Sequence, residues 1–166
     1  MPGEQLPLQD SQCFEDFYTR THVRVFRYIY GFYCGSTEEV EDLTAETFLR
    51  AWKARQRFFG DEAAAIGWLF QIARNLVIDA LRRQRVRQGE KQLDEDSVDP
   101  PATGGDPEEE TSLREQVHTM RILLASLPIE QREMITLRYL LGWQVKQIAR
   151  HMRLLKNPVS VNLRRA

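Results

Sequence analysis

Apolar positions along the chain recur at three, four and seven residues, which is the helical period. The longest such pattern is Trp68 to Arg85. There Leu69, Ile72, Ala73, Leu76 and Ala80 share one side, widened by Phe70, Val77 and Leu81. Gln71, Arg74, Asn75, Ile78, Arg82 and Arg85 fall opposite. One long helix is expected, with an apolar face for a core and a face of guanidinium and amide groups. Before it, Phe14 to Phe32 repeats the period in aromatic residues, most of them expected in a core. Val40 to Trp52 forms another helix, capped by Ser36 or Thr37, with carboxylates in its first turns. Leu43, Phe48 and Trp52 call for burial. Asp42, Glu46, Arg50 and Lys53 line an exposed face, as either weak ion pairs or a docking surface for a partner helix. Residues 1–10 read as a loose tail.

Between these helices, Phe58 and Phe59 precede Gly60-Asp61. Two adjacent rings there cannot easily share one core. One is expected to be exposed, as a ring that can stack on an unpaired base. The long helix is expected to fade at Gln88-Gly89. Beyond it the period stops. Residues 94–112 hold eight acids, no base, three of the seven prolines and two glycines. Such a segment buries too little to order itself and reads as a flexible linker. Periodicity resumes with Leu113, Val117, Met120, Leu123, Leu124 and Leu127. Pro128 opens a helix to about Leu140 and Gly142 ends it. Trp143 to Met152 is a short helix, residues 153–157 a turn, and Pro158 to Arg165 a final helix. Two short helices around a tight turn, the second polar and basic, form a helix-turn-helix layout. Ile148, Ala149, Leu154, Val159 and Leu163 are its expected core.

The chain is therefore expected to be all-α, with two small helical domains joined by a flexible acidic linker: residues 1–93, 94–112 and 113–166. Net charge over the 166 residues is −1. Its distribution is uneven: 0, −8 and +7 for the three segments in turn. A basic end behind an acidic stretch favours nucleic acid over membrane. Cys13 and Cys34 form no metal or redox spacing and read as reduced thiols. No signal-like start is seen, and no uninterrupted apolar run approaches about 18 residues, so a cytoplasmic protein without membrane insertion is expected. His22, His118 and His151 are scattered, and no phosphate-cradling glycine loop or nucleophile constellation occurs. Neither enzyme chemistry nor a metal or cofactor is expected. A helix-turn-helix regulator would account for residues 113–166 but not for the charged face at 42–53. Nor would such a regulator account for the Arg-flanked helix at 68–85; a helical adaptor would account for the amphipathic helices but not for the C-terminal charge.

Taken in order, these motifs resemble a family. Glu41 to Trp52 is similar to region 2.2 of the sigma-70 family, in its extracytoplasmic-function (ECF) group, and Trp68 to Asp79 to regions 2.3–2.4. Leu127-Pro128, Arg132, Leu137-Arg138-Tyr139 and Gln147-Ile148-Ala149 match region 4. The resemblance covers about residues 14–87 and 113–166. It implies a transcription initiation factor that binds bacterial core RNA polymerase, through the β′ and β subunits, and promoter DNA; an anti-sigma factor is a further implied partner. Asp42, Glu46, Thr47, Arg50 and Trp52 would dock on polymerase. Phe59, Gln71, Arg74, Asn75, Ile78, Arg82, Arg83 and Arg85 would meet the −10 element. Lys156, Asn157, Ser160, Val161, Arg164 and Arg165 would meet the −35 element, where a bidentate arginine–guanine contact discriminates by about 1–3 kcal/mol. Six positions depart from the family pattern. Ala63-Ala64-Ala65 stands where many members carry a bulky apolar residue. Arg153 replaces the usual turn glycine. Leu155 and Ser160 occupy the usual cap and basic-reader sites.

Overall fold

The computed structural model describes residues 5–90, 107–154 and 159, with side chains described for 5–87, 115–154 and 159. Among these residues all regular structure is helical: α1 (Ser11–Tyr33), α2 (Thr37–Ala54), a 3-10 turn (Arg55–Arg57), α3 (Glu62–Glu90), α4 (Pro107–Ser126), α5 (Ile129–Ile135) continued by a π-helical turn (Thr136–Leu140), and α6 (Val145–His151).

Local chemistry accounts for the boundaries. Asp10 caps α1 by accepting from Cys13 N, and α1 ends at Cys34 in the left-handed region, φ 59°. Ser36 and Glu39 close a reciprocal capping box on α2. Asp61 caps α3 by accepting from Ala64 N at 2.8 Å. α3 runs to Glu90, one residue past the expected fading point at Gln88-Gly89. By length and hydropathy alone, Glu62–Arg87 could cross a bilayer, a reading that runs of uninterrupted apolar residues did not disclose. Its apolar side is instead spent inside the bundle: Leu69, Phe70, Ala73, Leu76, Val77, Ala80 and Leu81 are all buried. α1, α2 and α3 pack on one another around Phe17, Val25, Ile29, Val40, Phe48 and these residues.

Two expectations change here. Residues 5–10 are no loose tail. Leu8 is fully buried, Leu6 N donates to Gly60 O at 2.8 Å, and Gln9 Nε2 donates to Phe58 O at 2.6 Å. The segment thus laces onto the loop before α3. α4 begins at Pro107, inside the stretch read as linker. A proline in the first turn followed by Glu108-Glu109-Glu110 suits a helix start, since proline is preset for that turn and carboxylates favour the positive end. The rest of the expected linker, residues 94–106, lies outside the described residues.

The second half packs directly against the first, and a single apolar core among the described residues runs through both. α4, α5 and the π-helical turn all contact α1. The two halves approach closely at Gly31: a Cβ there would lie 2.9 Å from Thr136 Cγ2 and 3.2 Å from Leu140 Cδ2. Trp143 stacks at a tilt on Phe70 of α3, ring centroids 5.1 Å apart. α4 leaves Met120, Ile122 and Leu123 exposed, although Met120 and Leu123 belong to its apolar repeat. Its contacts with α1 and with Arg132 of α5 cover too little of its circumference.

Candidate polymerase and DNA interfaces

On α2 the expected docking face divides. Asp42 and Arg50 are exposed and Glu46 is half-buried, the last two paired at 2.7 Å. Thr47 points inward: it is fully buried and donates its hydroxyl to Leu43 O at 2.7 Å. Trp52 is half-buried, its ring edge-on to Phe14 and covered on one face by the Arg55 guanidinium, 3.3 Å from the ring centroid. The outward residues of this set are therefore Asp42, Glu46 and Arg50.

The two phenylalanines separate as their adjacency demands. Phe58 is buried and packs on Trp68, ring centroids 5.0 Å apart, while Phe59 is 77% exposed. Along α3, Gln71 and Asn75 sit one turn apart, with Gln71 Nε2 donating to Asn75 Oδ1 at 3.4 Å. Ile78, placed on the polar face from periodicity, is half-buried and packs against the core, so it belongs to the edge of that face. Arg82, Arg83 and Arg85 are exposed. Arg82 lies 3.5 Å from Asp79, and together with Arg50 and Arg83 these two line one shallow depression between α2 and α3.

Arg74 has a different setting. Its Nε lies 3.0 Å from both carboxylate oxygens of Glu133, a residue of α5 with no solvent exposure. Glu133 Oε1 also accepts from the Tyr28 hydroxyl of α1 at 2.8 Å, and His151 Nε2 of α6 lies 3.2 Å away. Burial, and next the Glu133 charge, push the Tyr28 hydroxyl pKa well above its ordinary value. This cluster was not anticipated from sequence. The signal was present, since Ile129, Glu133, Thr136 and Leu137 lie at helical spacing and Glu133 stands on the inward side. Gln71, Arg74 and Asn75 share a depression with His151, Met152 and Arg153. A larger groove of about 720 Å³ continues from it, bordered by Arg24, Asp61 and Gln71 on one side and Trp143, Gln147 and Arg150 on the other.

The helix-turn-helix begins as expected. Gln144 and Gln147 form a capping box on α6. Arg153 adopts φ 55°, the left-handed conformation expected where glycine is usual, and Leu154 N closes the turn onto Ala149 O at 2.8 Å. Ile148, Ala149 and Val159 are buried and Leu154 is half-buried. Leu163 and the expected −35 readers Lys156, Asn157, Ser160, Val161, Arg164 and Arg165 lie outside the described residues.

A helical bundle with a capped recognition-type turn is the architecture of sigma-70 proteins, and the sequence matches that family in both halves: sigma-70 region 2 over residues 17–87 and sigma-70 region 4 over residues 120–166. It is 34% identical over 134 residues to the ECF RNA polymerase sigma factor SigL of Mycobacterium tuberculosis, a match covering 78% of this chain and 71% of SigL. It is 35% identical over 155 residues to the ECF RNA polymerase sigma factor BldN of Streptomyces coelicolor, covering 90% of this chain and 55% of BldN. Its fold is similar to that of CnrH, solved in complex with the cytosolic domain of CnrY (TM-score 0.69, 20% identity, 97% of this chain and 89% of that one). It is also similar to RpoE of Bartonella quintana, solved with the anti-sigma factor NepR (TM-score 0.67, 19% identity, 92% and 90%). The chain belongs to the sigma-70 family, and within it to the ECF RNA polymerase sigma factors. Its function is that of the family, a transcription initiation factor that directs RNA polymerase to promoters.

Proposed function

We propose that the two outward faces of the first half divide this work. The α2 face of Asp42, Glu46 and Arg50 docks on the β′ subunit of core polymerase, with Trp52 at its edge. Thr47 supports that face from inside rather than touching the partner. The α3 face of Gln71, Arg74 and Asn75, with Arg82, Arg83 and Arg85 beyond it, meets the −10 element. The exposed Phe59 ring stacks on a base taken from the duplex; unstacking costs a few kcal/mol, offset by the new contacts. Residues 113–166 read the −35 element through the final helix, using Lys156, Asn157, Ser160, Val161, Arg164 and Arg165. The protein works in the cytoplasm and contributes recognition, while the polymerase performs the chemistry. An anti-sigma factor is an expected regulator, as NepR is for RpoE of Bartonella quintana in name.

The observation that carries this reading is α3 itself. It buries most of its apolar side, yet turns amides and guanidinium groups outward beside a loop whose phenylalanine has no core to fill. In vitro transcription with bacterial core polymerase tests it, using promoter fragments of the source organism as template. New discrete transcripts are expected with the chain and not without it. Asp42→Arg is expected to abolish them by placing a like or misplaced charge against the partner, with helix content unchanged by circular dichroism. Wild-type-level transcription by Asp42→Arg would remove this face from the polymerase interface.

A further inference from the structure

The loop between the 3-10 turn and α3 carries Phe59, 77% exposed, between two backbone carbonyls that both have partners. Gln9 Nε2 donates to Phe58 O on one side, and Leu6 N donates to Gly60 O on the other. Both donors come from the segment before α1, Gln9 standing 49 residues upstream of its acceptor. That segment is itself anchored. Leu8 has no solvent exposure, Leu6 packs against the core, Leu8 N donates to Leu6 O at 2.9 Å, and Asp10 caps α1. The loop is also held from its other side. Phe58 packs on Trp68, Phe58 N donates to Arg55 O at 3.1 Å, and Asp61 caps α3. Gly60 fits closely between these walls: a Cβ there would stand 2.9 Å from Ala64 Cβ and 3.1 Å from Phe58 Cζ. The backbone is therefore fixed on each side of an outward-turned ring. A ring on a free loop loses conformational freedom when it stacks, and a fixed backbone removes much of that cost before binding.

We propose that residues 6–9 are a positioning strap for this loop: Gln9 and Leu6 hold the backbone about Phe59 so that its ring is presented to an unpaired base. This rests on the reading that Phe59 stacks on a base taken from the duplex. Gln9 is a positioning residue and touches no DNA. It acts through the carbonyl next to Phe59, while buried Leu8 keeps the strap on the bundle. Its effect on promoter opening therefore exists only while the Phe59 ring is present. A residue that merely stabilised the bundle would act whether or not that ring were there.

The test uses the full chain with bacterial core polymerase and the promoter fragment that gives the strongest transcript with wild type. The fragment is supplied fully paired, and again with its −10 segment opened by mismatches. Gln9→Met keeps the length of the side chain and removes the donor. Gln12→Met makes the same change at an exposed position of α1, away from the loop. On the paired fragment Phe59→Ala is expected to lower the transcription rate about tenfold, within the range of one lost base–aromatic stack. Gln9→Met is expected to lower it about threefold to fivefold, since a displaced ring keeps part of its stacking. Gln12→Met is expected to match wild type. On the opened fragment Gln9→Met is expected to come within about twofold of wild type, because unstacking no longer has to be offset. Combined with Phe59→Ala, Gln9→Met is expected to add no further loss. A wild-type rate for Gln9→Met beside a defective Phe59→Ala overturns the strap alone. An undiminished loss from Gln9→Met in the Phe59→Ala background, or an equal loss from Gln12→Met, also overturns it. A wild-type rate for Phe59→Ala counts against the reading of the ring itself, and the strap falls with it. Circular dichroism checks that each variant keeps its helices. Leu8→Ala, which frees the strap at its buried end, carries the same test if Gln9→Met loses helix content.

Discussion

The interior of the first half and its junction with the second are built from different materials. Inside α1–α3 the buried residues are almost all apolar. The two buried polar side chains wholly within that bundle, Thr21 and Thr47, satisfy themselves on Phe17 O and Leu43 O of their own helices. The second half contributes buried Arg121, Arg132, Glu133, Thr136 and His151. Arg121 donates to Gly35 O and lies over the Tyr30 ring, Arg132 reaches Phe32 O at 3.4 Å, and Glu133 binds Tyr28 and Arg74. Arg121 Nε and Arg132 Nε have no partner among the described residues. Apolar surface gains only by staying out of water. The charged groups of the junction can exchange their protein partners for water or phosphate, whereas Met134, Leu137 and Trp143, which share the apolar core, gain only by staying buried.

The sharpest way to break this contrast is to damage the bundle. Phe17 is fully buried within it, and Phe17→Ala is expected to cost about 3–5 kcal/mol through lost burial and the cavity left behind. Chemical denaturation would show it as a large fall in midpoint; a loss below that of a surface substitution would mean that the bundle does not carry the stability. The next largest effect is set by pH. Burial raises the Tyr28 hydroxyl far above 10, and burial followed by the charge of Glu39 pushes Tyr33 up to about 12. Both phenols therefore stay protonated in the folded state where the unfolded chain would release the proton. Stability is full below about pH 10 and falls as pH rises toward 12 and beyond. Tyr28 faces Glu133, Arg74 and His151, so the junction is expected to open along with this loss. Scattering and circular dichroism followed together from pH 9 upward would check it, and expansion ahead of helix loss is the expected order.

Two smaller effects sharpen the comparison. Ser36→Ala removes the hydroxyl half of the α2 capping box, the acceptor for Glu39 N, and is expected to destabilise the first half by about 1 kcal/mol in thermal denaturation. Arg153→Gly relieves a left-handed backbone at an exposed side chain and is expected to stabilise the second half by up to about 1 kcal/mol. Hydrogen exchange resolved by region would place the first change in α2 and the second in α6.

Much of the candidate site was legible from residue order. The faces of α3, the capping of α2 by Ser36, the exposure of one phenylalanine of the pair 58–59 and the left-handed position at Arg153 all follow from local rules. Helical period, cap chemistry and the cost of positive φ act over a few residues. Thr47 and Ile78 were placed less well. Each sits at the margin of a helical face, where one neighbouring helix decides which way the side chain is covered. The start of α4 at Pro107 was hidden by composition, because acidic and proline-rich residues are also what a helix N-terminus favours.

By itself, then, the sequence determined most of the helical segments, which side of each is apolar and which family they form. Only the tertiary structure decided that Leu8 enters the core, that α4 leaves Met120 and Leu123 exposed, and that Glu133 is a buried partner rather than a surface charge. The physical reason is range. A helix and its caps are made by neighbours within about one turn, whereas a buried carboxylate is held by groups that replace its water. For Glu133 those groups stand 105 residues away at Tyr28 and 59 residues away at Arg74, and only folding brings them together.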